Sequence, residues 1–168
     1  MPFALVTGTR QHLGPAAATL GRAGFEVMTW ATDSSAAPAG GPFDCYVQLP
    51  CTAADLPAAA ATCGRPGRRA ADDLVCRTDA LAAVAARLKP NASILLAVDE
   101  PASSDPQRKM LPADLLSAVA LALLEDLGRP TSRLAVVPVA ALATPAPVEQ
   151  LLDLTQWEMP TPPLVSAP

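Results

Sequence analysis

Histidine is almost missing from this chain: His12 is the only one in 168 residues. One imidazole, and no Cys-x-x-Cys pair among Cys45, Cys51, Cys63 and Cys76, exclude a zinc site of ordinary ligand spacing. The four cysteines read as reduced thiols. Lysine is nearly as scarce, with Lys89 and Lys109 alone against ten arginines. The net charge of -4 and an isoelectric point near 4.8 leave no basic footprint for nucleic acid. The one basic cluster, "GRPGRR" (64–69), reads as a solvated loop. Long apolar runs are missing too. The longest, "AVALALL" (118–124), falls far short of the roughly 20 residues a membrane helix needs. "MPFALVTG" lacks the basic start and long apolar core of a secretory signal. These absences lead to the expectation of a soluble cytoplasmic protein that binds neither membrane nor nucleic acid.

Small aliphatic residues are what the chain has, and they fall into alternating elements. "FALVT" (3–7) reads as an apolar strand closed by Gly8. Gly14 and Pro15 suit a helix start, since proline at the first helical position forfeits an amide that is unpaired anyway. "FEVMTW" (25–30), "FDCYVQL" (43–49), "SILLAV" (93–98) and "RLAVVPV" (133–139) read as four further strands. Residues 73–88 place Leu74, Leu81, Val84 and Leu88 at helical spacing, and a second long helix covers 111–127. Alternation of this kind predicts an α/β fold: a doubly wound parallel sheet of about five strands, Rossmann/flavodoxin-like, in the order 2-1-3-4-5. The domain is expected to span 1–143, with 144–168 a Pro-rich tail outside the sheet. Between Leu115 and Leu124 only Ser117 is polar, so the helix there is apolar on two sides. Such a helix is covered twice, either by the chain's own tail or by another subunit.

"LVTGTRQHLG" (5–14), "FDCYVQLP", "VCRTDAL", "ASILLAVDE" and "ALALLEDLGRPTSRLAVVPV" together resemble a truncated, divergent short-chain dehydrogenase/reductase. Thr7, Gly8 and Gly14 fall on the Thr and the first and last Gly of that family's TGxxxGxG, while His12 replaces its middle glycine. The resemblance implies a nicotinamide cofactor at the glycine turn and a Tyr-x-x-x-Lys pair with a serine and an asparagine. Here the only tyrosine, Tyr46, lies in a strand. Counting back from Gly128, the tyrosine, lysine, serine and asparagine positions fall on Lys109, Ala113, Asp99 and Cys76. None of the four can play its part in proton transfer.

The expectation is therefore a non-catalytic subunit, forming a homo-oligomer or pairing with an active short-chain dehydrogenase/reductase in a structural or regulatory role. The resemblance puts its interface on Leu81, Val84, Leu115, Val119 and Leu123. No cofactor is expected; if any binds, it is NAD(P) at a vestigial site of Gly8, Arg10, His12 and Gly14. The alternative is an NAD(P)-binding oxidoreductase or nucleotide sensor that uses unfamiliar groups such as Asp99 and Lys109.

Overall fold

The computed structural model describes residues 1–32, 38–50, 66–99, 113–129 and 133–143. Their elements are β1 (Phe3–Gly8), α1 (Arg10–Arg22), β2 (Glu26–Ala31), β3 (Phe43–Gln48), α2 (Pro66–Ala85), β4 (Leu88–Val98), α3 (Ala113–Asp126) and β5 (Leu134–Pro138). A short 3-10 helix, Val139–Ala143, follows β5. Every strand pairing is parallel and the sheet order is β2-β1-β3-β4-β5. The fold is thus α/β with Rossmann/flavodoxin-like strand order, as the alternation of elements implies.

Strand alternation divides the core into two layers. Ala4, Val6, Cys45, Val47, Leu95 and Ala97 face α1, where Leu13, Ala16 and Leu20 meet them. Leu5, Phe43, Tyr46, Ile94 and Leu96 face α2 and α3, against Leu81, Val84, Leu116, Ala120 and Leu124. Because β1, β3 and β4 are covered on both faces, they read as continuous apolar runs rather than alternating ones.

Three boundaries differ from the sequence expectation. Helix α1 starts at Arg10, ahead of Gly14 and Pro15, because Thr9 is extended (φ -74°, ψ 148°) and its carbonyl accepts the amides of His12 and Leu13. Pro15 therefore sits inside the helix, where its missing N–H forfeits one bond. Helix α2 starts at Pro66, so part of the expected "GRPGRR" loop is helical; proline suits the first helical position. Leu88 leaves that helix and opens β4, pairing with Phe43, whereas the next matched pair is Cys45 with Ser93. The extra residues between Leu88 and Ser93 form a bulge, which is where a strand tolerates Pro90. The Pro-rich segment 144–168 and Lys109 lie outside the described residues. Among the described residues no helix is long and apolar enough to cross a membrane.

Candidate functional site at the carboxyl ends of the strands

An open parallel sheet binds ligands outside the carboxyl ends of its strands, where the chain order reverses. In this sheet the reversal lies between β1 and β3. Gly8, Thr9 and the first turn of α1 border it on one side, Gln48 to Pro50 on the other.

The glycine turn has a packing reason of its own. Gly8 has φ +149°, and a Cβ there would lie 2.5 Å from the Cβ of Leu49. Leu49 is drawn that close by its amide, which donates to the Thr7 carbonyl at 2.8 Å. Gly14, by contrast, is exposed, and a Cβ on it would meet nothing within 4 Å. Arg10 is exposed at the helix start, and half-buried His12 turns its Nδ1 to within 3.2 Å of Thr9 Oγ1. The imidazole therefore meets the side chain of the residue that opens α1, while Thr9 makes no side-chain hydrogen bond to the helix backbone.

Behind this turn lies a polar network that reading the sequence misses. Arg77, only 2% exposed, projects from α2 beneath the carboxyl ends of β3 and β4. Its Nε donates to Gln48 Oε1 (3.3 Å), and its Nη2 donates to the Gln48 carbonyl (3.2 Å) and to the Ala97 carbonyl. Nη1 faces Asp73, one helical turn earlier, at 3.6 Å. The Gln48 amide donates to the Arg77 carbonyl (2.7 Å) and to the Tyr46 hydroxyl (3.0 Å), which also shares a hydrogen bond with Thr7 Oγ1 (2.9 Å). A buried guanidinium is tolerated only when paired and hydrogen-bonded, and here it meets carbonyls that the sheet leaves over where β3 and β4 end. Trp30, in register with Thr7, keeps its indole Nε1 buried with no hydrogen-bond partner among the described residues. The row of polar groups is thus closed at Gln48 and open at its β2 end. The signal in the sequence was positional: Arg77 falls on the same helical stripe as Leu74, Leu81 and Val84, where a cation needs a buried partner.

The single tyrosine is accordingly an internal strut, fully buried in β3. Asp99 is exposed just past β4, and Cys76 is half-buried on α2. The residues expected at an interface separate into two groups. Leu81 and Val84 are buried in the chain's own core, because they lie on the α2 stripe that meets the sheet. Val119 and Leu123 are half-buried, and Leu115 is 45% exposed. The outward side of α3 also carries Leu121 at 42%, with Ala118 and Ala122 exposed beside it. On α2, which packs against α3, the exposed positions from residue 70 onward are Ala71, Val75, Asp79, Ala82 and Ala83. Among the described residues no group of His, Cys, Asp and Glu is placed to hold a metal ion. Comparison with protein-family models and with curated proteins finds no match.

Proposed function

We propose that this chain is a non-catalytic, Rossmann-like subunit that works by pairing, with a second copy or with an active short-chain dehydrogenase/reductase. The observation that carries the reading is the outward face of α3. Leu115, Ala118, Leu121 and Ala122 are exposed there, and the helix's charges sit only at its ends, at Asp114, Glu125 and Asp126. Soluble monomers seldom leave such a face to water. The proposed interface keeps Leu115 of the sequence expectation, leaves out Leu81 and Val84, which the chain's own core buries, and adds exposed Val75 and Leu121. The role of Tyr46 as a buried strut is consistent with a chain that does not use a tyrosine for proton transfer.

Sedimentation velocity on the full chain, with L115E/L121E as its comparison, tests the reading directly. A concentration-dependent dimer that the double variant dissociates supports homotypic pairing. Native mass spectrometry on protein isolated from its own cells covers the heterotypic case, expected as a stoichiometric complex with an intact reductase. A homogeneous monomer in both experiments refutes the subunit reading.

A second reading, a nucleotide sensor, draws support from the open indole donor of Trp30 beside the strand-order reversal and from exposed Arg10 at the head of α1. Titration with NADH or NADPH, following tryptophan fluorescence in the full chain and in W30F, tests it. Saturable quenching at micromolar nucleotide that disappears in W30F would favour the sensor over the subunit.

A further inference from the structure

At the opposite end of the sheet, a cleft of about 190 Å³ opens between the start of β4 and the end of α3. Its walls are the side chains of Leu88, Ala92, Ile94 and Leu124, with Pro90 at the edge. Two residues that carry cations, Lys89 and Arg129, also line it. They differ in what they already hold. Lys89 Nζ lies 2.6 Å from Asp44 Oδ1, so its charge is largely answered. Arg129 donates from Nη1 to the Leu88 carbonyl (3.3 Å) and from Nη2 to the Ala86 carbonyl (3.2 Å). Those two bonds fix the guanidinium and leave part of its five-donor fork uncommitted. Among the described residues no carboxylate lies within ion-pair distance of it. Gly128, at φ +66°, ends α3 and brings Arg129 back over Leu124, to whose carbonyl the Arg129 amide donates at 2.7 Å. A Cβ on Gly128 would meet nothing within 4 Å.

We infer that this cleft binds a small amphipathic carboxylate, its hydrocarbon against Leu88, Ala92, Ile94 and Leu124 and its carboxylate on Arg129. An apolar cavity of roughly 150 Å³ accepts a benzene ring, so this one takes about six to eight carbons. The head is a carboxylate because a guanidinium fixed at two nitrogens still offers a planar pair of donors, which carboxylate matches. The inference is independent of any pairing through α3 and of any nucleotide at the carboxyl ends of the strands.

The test is an amide-resolved NMR titration of the full chain with butyrate, hexanoate, octanoate and decanoate, with 1-octanol as the uncharged control. Shifts are expected to cluster at residues 88–94 and 124–129. Each added methylene should tighten binding about fourfold until the cleft is full, and then stop doing so. R129M should weaken octanoate about tenfold and leave octanol unchanged. A92F, which fills the cleft, should abolish both; if that variant does not fold, the chain-length series and R129M still decide. The inference is overturned by the absence of saturable octanoate binding at millimolar concentration. It is equally overturned by shifts centred elsewhere, or by octanol binding as tightly as octanoate.

Discussion

Replacing Arg77 by methionine keeps the length and apolar stem of the side chain and removes its charge and donors. The substitution leaves Gln48 Oε1 and the Gln48 and Ala97 carbonyls without the donor they share, all beneath a guanidinium position that is 2% exposed. Breaking a buried, hydrogen-bonded ion pair by removing one partner costs about 3–5 kcal/mol. The Asp73 side chain is 16% exposed and can rehydrate when its partner goes, which places R77M toward the lower end, about 3 kcal/mol. With a urea dependence of roughly 2 kcal/mol/M for a domain of this size, the unfolding midpoint should fall by about 1.5 M. R77K should lose about half as much, since an ammonium keeps the charge but cannot reach several acceptors through a rigid fork. Equilibrium urea unfolding followed by circular dichroism measures all three proteins. A loss below about 1 kcal/mol would mean that the network is hydrated. A gain in stability would mean that burying the guanidinium costs more than its hydrogen bonds return, and would refute the stabilising role of the network.

Three further expectations follow from single residues. Burial pushes the Cys45 thiol from 9.0 up to about 12, so the unfolded chain loses that proton first as pH rises. Stability is therefore full below about pH 9 and declines above it, by up to about 1.4 kcal/mol per pH unit, and C45A should flatten this alkaline limb in urea unfolding. Lys89, hydrogen-bonded at 2.6 Å, holds the Asp44 carboxyl below its ordinary value, so its contribution is present above about pH 4 and is lost as pH falls through the lowered value. Because both side chains are well exposed, D44N should cost no more than about 1 kcal/mol at pH 7, and raising the salt should shrink that difference. G8A should cost about 2–5 kcal/mol, from a positive φ and from the contact with Leu49, measurable as a fall in urea midpoint. In the G8A/L49G double variant, which removes the Leu49 Cβ, the contact part should be relieved, leaving a favourable coupling of about 1–2 kcal/mol; strict additivity would place the glycine's reason elsewhere.

The sheet was legible because a parallel strand covered on both faces has to be apolar throughout, and "FALVT", "FDCYVQL" and "SILLAV" leave little else to be. Helix starts were less legible. Pro15 is a strong local signal, yet Thr9 in an extended conformation, with its carbonyl accepting the amides of His12 and Leu13, starts the helix six residues earlier, and the helix tolerates the one missing bond at Pro15. The polar network was hidden for a different reason. Gln48, Arg77 and Thr7 are far apart in the chain, and each alone reads as a surface residue that fell inside. Only the register of β1 with β3, and the position of α2 across their ends, turns three anomalies into one set of mutual partners.

The two glycines of the apparent fingerprint separate in the same way. A nucleotide turn uses glycine so that a phosphate can approach the backbone, and a tight strand end uses it so that another strand can. Gly8 meets the second requirement in full, because Leu49 already occupies the place of a side chain. Gly14 meets neither among the described residues, being exposed with open space around it. His12, between them, shares its Nδ1 with the hydroxyl of Thr9, which starts α1 earlier than a glycine loop would. Thr-Gly is therefore legible as a backbone requirement, Leu-Gly is not, and the residues between them form the first turn of a helix. A pattern written in glycines records where the backbone is crowded; the crowding atom can belong to a cofactor or to the next strand. Here, at Gly8, it belongs to Leu49.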